Sequence, residues 1–269
     1  AVDDASGTAV ALAACRALCD QQLPATVVFC AFDGEELGLL GSQHCADAFA
    51  AAGKRVDGMI GCDIVGNTLG MDGVRRDDHV RCFSYAPTGN DSSGRSLARA
   101  ASWAARRVDG LGVALVFRGD RYGRGGDHRS FFEAGFPAVR FTEPREDFSR
   151  QHQDVVMRDG KPYGDVLDYV DFDYVAHVAA LNATLIAELA SAPRAPERIR
   201  IESAKDAYDT LVDIGRVDGA SAYEVLWRET TAADWEGART VDAKDLEFDA
   251  KGNARYVLKG VCIDEVVVA

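Results

Sequence analysis

Two adjacent carboxylates stand where a predicted strand ends. Residues 25–32 (ATVVFCAF) have the β-branched and aromatic character of a buried strand, and an Asp-Gly pair connects them to Glu35 and Glu36. Neighbouring carboxylates repel each other and lose hydration on burial, so a fold retains such a pair where a positive group binds it. A metal ion is the simplest candidate, because one carboxylate can bind it while the other acts on metal-bound water.

Three further candidate ligands occupy matching positions along the chain. Asp3 precedes a predicted helix, Asp63 ends a predicted strand, and His152 lies in a long loop after a later strand. Ligands of open α/β sheets bind beyond the carboxyl ends of the strands, so these side chains can converge. A mixture of Asp, Glu and His suits zinc, whereas an all-oxygen set would suit magnesium or calcium.

Each of these residues has an ordinary structural explanation when it is taken alone. Asp3 belongs to an Asp pair that can cap a helix, and Glu35 with Glu36 can open a helix where acidic groups meet the helix dipole. Asp63 can cap a turn, and His152 can be a loop histidine. The joint spacing of these residues and their local motifs favour a metal centre.

The elements that must position these residues alternate between strand and helix over the first 190 residues. Such alternation predicts an α/β fold, a mostly parallel mixed sheet with helices on both faces. A long irregular stretch at 143–170 precedes the closing helix. Helices are predicted at 8–19, 36–52, 93–108, 127–134 and 172–189, and strands at 25–32, 58–64, 80–85, 113–117 and 138–142.

A change of composition at 191–196 (SAPRAP) predicts a linker between two domains. Paired prolines without apolar periodicity interrupt the alternation there. Beyond this point, short strand-like stretches separated by Asp-Gly and Lys-Gly turns predict a small β-sandwich. We therefore expect one domain at 1–192 and a second domain at 196–269.

The charge balance argues against some partners. Acidic residues outnumber basic ones 43 to 30, giving a net charge of -13, whereas nucleic acid and anionic membranes require a cationic face. No run of about 18 uninterrupted apolar residues occurs, so no membrane span is predicted. The seven cysteines form no Cys-x-x-Cys pair and lie mostly in apolar patterns, which favours buried free thiols over a disulfide framework.

The local motifs together resemble a known family. The chain contains, in order, VDDASG, FDGEELGLLGS, GCDIVGN, GGDH, EAGFPAVRFTE and RQHQDV. Over residues 1 to about 190 it resembles the co-catalytic zinc aminopeptidases of peptidase family 28, relatives of glutamate carboxypeptidases and glutaminyl cyclases. The resemblance implies that Asp3 bridges two zinc ions, that Glu36 and His152 complete one site, that Asp63 belongs to the other, and that Glu35 is the general base.

The chain departs from this family pattern at its start. Family members carry a zinc-binding histidine in a His-x-Asp motif upstream of the bridging aspartate, and this chain begins too late to show it. We interpret the chain as a fragment whose N-terminal part, including any signal region, is missing. The resemblance therefore implies two zinc ions in an intact active site and one in this fragment.

Three residues near the proposed centre have open roles. Gln151 precedes His152 where the family often has a tyrosine, so oxyanion stabilisation comes from the Gln151 amide or from elsewhere. Asp127 and His128 fall at a predicted helix start. Asp127 can cap that helix while His128 is a supporting or surface residue, or both can take part directly in catalysis or substrate binding. Three arginines are candidates for orienting substrate or are merely exposed: Arg124, Arg129 and Arg140.

The resemblance predicts a zinc-dependent aminopeptidase that hydrolyses the N-terminal bonds of a peptide or protein substrate. Two alternatives stay open: a glutaminyl-cyclase-like acyltransferase with a single zinc, and a binding ectodomain without catalysis. Residues 196–269 resemble the fibronectin type III-like tail of some secreted members, which predicts a secreted or periplasmic location. The oligomeric state does not follow from the sequence.

Overall fold

A computed structural model describes residues 1–85, 92–193, 195–196, 198–203, 208–261 and 265–268. The chain divides into two compact units, Ala1–Ser191 and Ala192–Ala269. The first unit contains, in chain order, α1 (Ala5–Leu18), α2 (Leu40–Ala51), β1 (Met59–Cys62), β2 (His79–Ser84), α3 (Ser93–Ala105), β3 (Gly112–Val116), α4 (His128–Glu133), β4 (Ala138–Thr142), β5 (Val156–Arg158), β6 (Lys161–Tyr163), a 3₁₀ turn (Leu167–Tyr169) and α5 (Phe172–Ser191).

The first unit is built on a mixed sheet with the strand order β1-β4-β2-β3. Strands β1 and β4 are parallel, β2 and β3 are parallel, and the central β2–β4 pair is antiparallel. The predicted mixed α/β class is confirmed.

Helices cover both faces of this sheet. Val139 and Phe141 of β4 pack in a large cluster with residues of α1, α3 and α5, whereas Ala138 packs in a second cluster with residues of α2 and α4. Since successive side chains of a strand point to opposite faces, the two clusters lie on opposite sides of β4. The sheet is therefore enclosed, as an α/β sheet with parallel strands requires.

Polar side chains cap the N-terminal ends of helices α1 and α3. The Asp4 carboxylate accepts from Gly7 N at the start of α1, and the same oxygen accepts from Ile64 N at 3.0 Å. Ser92 Oγ accepts from Arg95 N at 3.3 Å and caps α3. Such caps contribute about 1 kcal/mol each. Asp4 in addition ties the start of α1 to the end of β1.

The predicted strand at 25–32 is wrong, because no ladder forms along this segment. In the described part of the chain β1 is hydrogen-bonded to β4 alone, so the segment has no paired neighbouring strand, and Val28 is 58% exposed. Phe32 still packs on Phe131. The following helix begins at Leu40 rather than at 36, because the intervening residues form a tight turn with Leu39 at a φ of 62°.

The stretch 143–170 is more ordered than predicted. Strands β5 and β6 form a hairpin whose connecting Asp159 and Gly160 have φ angles of 48° and 76°. An Asp-Gly pair with positive φ at both positions is the usual two-residue hairpin turn, so the sequence carried a signal for this hairpin.

The second unit consists of two three-stranded sheets around one core. The strands are β7 (Ile199–Ser203), β8 (Thr210–Gly215), β9 (Ala222–Arg228), β10 (Gly237–Asp242), β11 (Asn253–Leu258) and β12 (Glu265–Val268), with a 3₁₀ turn at Ala243–Asp245. The sheet orders are β10-β9-β12 and β11-β8-β7, and residues of both sheets share one buried cluster that includes Val212 and Val225.

The described cysteines are free thiols, but most are less buried than predicted. Cys82 is buried, whereas Cys19 and Cys30 are exposed. Cys15, Cys45 and Cys62 are partly buried, and Cys262 lies outside the described residues. Cys19 ends a helix and Cys30 lies in the unpaired segment, so neither is enclosed by the sheet.

Helix α5 is long and apolar enough to cross a membrane, the single such helix among the described residues. One of its faces carries Tyr174, Val178, Leu181 and Leu185, which are buried in the large cluster of the first unit. This packing is that of a core helix in a globular unit.

Candidate metal centre

The structure brings Asp3, Glu36 and His152 together. His152 Nε2 lies 3.1 Å from Asp3 Oδ2 and 3.3 Å from Glu36 Oε1. One ligand atom of each residue lies within 4.8 Å of the others. Asp3 comes from the segment before α1, Glu36 from the turn before α2, and His152 from the segment after β4. Three separate loops thus meet at one point.

This group fits a single zinc ion. Two carboxylate oxygens and one imidazole nitrogen are a donor set that zinc prefers, and three protein ligands leave a fourth position for water or substrate. His152 has a φ of 53°, a conformation uncommon outside glycine, and this backbone presents its ring to the two acids. An open cavity of about 350 Å³ adjoins Asp3 and His152, so a ligand can reach the group.

Asp63 directly follows β1 but has a different partner. Arg140 of the adjacent strand β4 places Nη2 2.8 Å from Asp63 Oδ2, and this arginine is 1% exposed. Burial raises the pKa of Asp63 to about 6; Arg140 opposes the shift and the charge of Asp3 adds to it. Within the described part of the chain, Asp63 joins no second cluster of three metal-ligand side chains.

Glu35 lies next to Glu36 in the turn before α2 and has a raised pKa. Its backbone carbonyl accepts from Gly38 N and Leu39 N, which fixes the turn that carries both glutamates. Burial raises the pKa of Glu35 to about 7, and the charges of Asp63 and Glu36 add to this shift. A carboxylate that titrates near neutrality can both accept and return a proton at physiological pH.

Gln151 is buried beside the metal-ligand group and points to a different partner. Its Nε2 donates to Glu146 Oε2 at 3.1 Å, and the same carboxylate binds Arg81 and Arg121. Gln151 lines a small interior space with Asn67 rather than the cavity at Asp3 and His152. The side chain therefore anchors the segment that carries His152, and its amide is not directed to that cavity.

His128 and Asp127 lie outside the metal-ligand group of Asp3, Glu36 and His152. His128 is 1% exposed and Nε2 bonds the Gly119 carbonyl at 2.7 Å, while burial lowers its pKa to about 4. A neutral, enclosed imidazole of this kind supports the loop before α4. Asp127 does not cap α4 with its side chain; burial raises its pKa, and a hydrogen bond from Ser42 opposes the shift.

Two aspartates with structural roles at the site were not predicted. Asp165 accepts from the backbone N–H groups of Val2 and Asp3, each at 2.9 Å, and thereby fixes the segment that presents Asp3. Asp120 binds Arg140 Nη1 at 2.5 Å and completes a buried carboxylate–guanidinium–carboxylate array with Asp63. No local pattern marks either residue, because both partners are distant in sequence.

A mixed α/β unit that holds two carboxylates and an imidazole within metal-binding distance, with a glutamate of raised pKa beside them, has the architecture of a metallohydrolase. Residues 1–186 match the model of peptidase family M28. The chain belongs to this family.

Similar proteins carry matching descriptions. A probable zinc metalloprotease of Leptosphaeria maculans is 39% identical over 252 residues, covering 87% of this chain and 58% of that protein. A probable zinc metalloprotease of Pyricularia oryzae is 40% identical over 258 residues, covering 87% of this chain and 51% of that protein. The chain thus spans about half the length of the curated relatives it matches. The similarity also extends past the family match into the second unit.

Solved structures share the fold. The aminopeptidase from Aneurinibacillus sp. strain AM-1 superposes with a TM-score of 0.50 at 25% identity, covering 70% of this chain and 39% of that one. The Legionella pneumophila LapA aminopeptidase gives a TM-score of 0.54 at 24% identity, covering 72% and 47%. The mixed α/β architecture is therefore the fold of these two aminopeptidases.

Proposed function

We propose that the protein is a zinc-dependent exopeptidase that removes N-terminal residues from peptides or proteins. The observation that carries this proposal is the meeting of Asp3, Glu36 and His152 beside Glu35, whose pKa is raised to about 7. Membership of peptidase family M28 supports hydrolysis of an amide bond. The aminopeptidase descriptions of the structural neighbours support the N-terminal specificity.

A zinc ion held by Asp3, Glu36 and His152 would polarise the substrate carbonyl and make water nucleophilic near neutral pH. Glu35 takes one proton from the attacking water as the water oxygen bonds to the carbonyl carbon. The carbon–nitrogen bond then breaks, and Glu35 delivers that proton to the leaving amine nitrogen. A base that must also act as an acid needs a pKa near the working pH, as burial gives Glu35.

Recognition of a free substrate amine follows from the acidity of the site. Asp63 and Glu35 lie close enough that each carboxylate raises the energy of the other's ionised form. An ammonium group between them would relieve that repulsion. Arg140 already binds one oxygen of Asp63, so Glu35 and the other Asp63 oxygen are the groups left for the amine.

The group Asp3, Glu36 and His152 supports one tightly bound zinc. By the family resemblance, a second zinc would share Asp3 and use Asp63, together with a histidine of the family's His-x-Asp motif. We expect one retained equivalent when the 269-residue chain is dialysed and measured by elemental analysis. Two equally retained equivalents would contradict this expectation. A secreted or periplasmic location belongs to the same proposal.

A second candidate is a glutaminyl-cyclase-like acyltransferase, favoured by a ligand group complete for one metal. The deciding experiment compares hydrolysis of leucine p-nitroanilide with cyclisation of a peptide that begins with glutamine, using the zinc-loaded chain. Hydrolysis without cyclisation supports the exopeptidase, and the reverse supports the acyltransferase. Absence of both activities from protein with bound zinc would favour the non-catalytic alternative and refute the proposal.

A further inference from the structure

A hydrolase of this kind gains rate when a hydrogen-bond donor or a positive group stabilises the carbonyl oxygen as that oxygen becomes anionic. Gln151, in the position that the sequence pattern marks for this role, instead donates to Glu146 from a buried position. The inference that follows rests on the proposed function and asks which other side chain is placed for the task.

Arg124 reaches the metal-ligand group from the loop between β3 and α4. Its Nη1 lies 3.3 Å from His152 Nε2, the nitrogen that also faces Asp3 and Glu36. The side chain is exposed, and Gly123 and Gly125 on either side give its backbone freedom to move. The guanidinium therefore contacts the group that would hold the metal ion.

Other arginines of this region are already bound to carboxylates. Arg129 pairs with Glu133 at 2.6 Å, Arg140 pairs with Asp120 and Asp63, and Arg121 pairs with Glu146 and Asp120. Among the described residues, no carboxylate lies within ion-pair distance of Arg124. Its charge is therefore available to a ligand.

We propose that Arg124 is a further catalytic residue, which binds the substrate carbonyl oxygen as it gains negative charge. A guanidinium stays protonated at any working pH and offers several donors in one plane, so it can bind an oxyanion without a change of protonation. Its contact with His152 Nε2 uses the lone pair that a metal would take. With a metal ion bound to that nitrogen, the guanidinium would be free to bind another acceptor, such as the substrate oxygen.

The test compares Arg124→Gln and Arg124→Lys with Arg129→Gln, a control on α4 whose side chain is exposed and paired with Glu133. All proteins are loaded with zinc. Hydrolysis of leucine p-nitroanilide gives kcat and KM, and calorimetry gives the affinity for the phosphonic acid analogue of leucine, whose charged oxygens mimic the tetrahedral oxyanion. Elemental analysis and zinc titration give metal content and affinity.

We expect Arg124→Gln to lower kcat about 10²-fold with a small change in KM. Phosphonate affinity should fall by a similar factor, Arg124→Lys should recover part of both losses, and Arg129→Gln should match wild type. Zinc affinity should stay equal or rise, because a competing donor and a like charge leave the centre.

Unchanged phosphonate affinity in Arg124→Gln would overturn the assignment, as would zinc-loaded wild-type protein that does not bind the phosphonate. Loss of zinc from Arg124→Gln would also overturn it, because Arg124 would then support the metal group rather than the substrate. If the wild type binds the phosphonate through Arg124 yet hydrolyses nothing, Arg124 keeps its anion-binding role and the proposed function fails instead.

Discussion

The Arg140 guanidinium lies 2.8 Å from the Asp63 carboxylate. Arg140 belongs to β4, and Asp63 directly follows β1, the strand that pairs with β4. Arg140 is 1% exposed and also binds Asp120 at 2.5 Å. This buried array ties the loop before α4 to the strand end at which the proposed metal centre forms. Removing the cation should destabilise the fold strongly, because it leaves two acids without their partner.

We predict that Arg140→Met destabilises the first unit by about 3–5 kcal/mol, the range typical of removing one partner of a buried ion pair. Urea unfolding measures the change, and Arg129→Met, which removes an exposed i,i+4 pair, should cost less than about 0.5 kcal/mol. Adding Asp120→Asn to Arg140→Met should recover part of the loss. Equal effects of Arg140→Met and Arg129→Met would show that the array contributes nothing.

Substitutions of the neighbouring residues Glu35 and Glu36 should affect proton transfer and metal binding separately. Glu35→Gln should lower activity about 10²–10⁴-fold with zinc content unchanged, because it removes the proton acceptor but no ligand. Glu36→Gln should lower zinc affinity, because Glu36 belongs to the ligand group at His152. Zinc analysis and turnover of leucine p-nitroanilide measure both. If zinc were lost from the first variant and kept by the second, the two roles would be exchanged.

Asp165 should control zinc binding without touching the metal. Its carboxylate holds the backbone N–H groups of Val2 and Asp3, so Asp165→Ala frees the segment that presents one ligand. We expect zinc affinity to fall about 10–100-fold, the usual effect of losing a group that orients a ligand. Asp168→Ala, an exposed residue of the neighbouring 3₁₀ turn, is the matched control. Calorimetric zinc titration of the folded variants measures the two affinities. Equal zinc affinities for Asp165→Ala and Asp168→Ala would refute the positioning role of Asp165.

Buried Glu143 should make stability fall as pH rises. Burial raises its pKa to about 8 from an ordinary value near 4.5, although Asn67 donates two hydrogen bonds to the carboxylate. The folded state therefore keeps a proton that the unfolded state releases between about pH 4.5 and pH 8, and each unit of pH in that window favours unfolding. The free energy of unfolding should drop by a few kcal/mol across the window, on the order expected for such a shift.

Glu143→Gln should remove this component of the pH dependence. Its amide stays neutral at every pH, so the difference in unfolding free energy between the variant and the wild type should move in favour of the variant as pH rises from 5 to 8. Urea unfolding at several pH values gives that difference and cancels the other titrating groups. A difference that is constant with pH would show that Glu143 ionises normally in the folded protein.

The sequence was most informative where local motifs carry chemistry. Asp3, Glu36 and His152 were placed in one predicted site, and the structure brings them together because each follows or precedes a regular element at a predictable point. The prediction of a strand at 25–32 was wrong. Apolar β-branched residues show that a segment can pair with another strand, but they do not show that such a strand lies beside it. Pairing depends on residues that a local pattern does not contain.

The groups that support the site could not be predicted in the same way. Asp165 acts on the segment at Asp3, and Arg140 bridges Asp63 to Asp120, through contacts between residues far apart in the chain. An isolated Asp or Arg looks the same in a sequence whether it is solvated or enclosed. Burial, which decides between these states, is a property of the folded chain.

The second unit should be dispensable for the chemistry. No residue of the proposed site lies in 196–269, and the two buried clusters of the first unit draw all their residues from that unit. A chain ending at Ala192, just after α5, should therefore fold, bind zinc and keep turnover of leucine p-nitroanilide within about twofold, while Glu35→Gln in the same short chain gives the inactive baseline. Circular dichroism, elemental analysis and kinetics on the short and full chains measure this. A short chain that folds and binds zinc yet matches the Glu35→Gln baseline would show that residues 196–269 help to shape the active site.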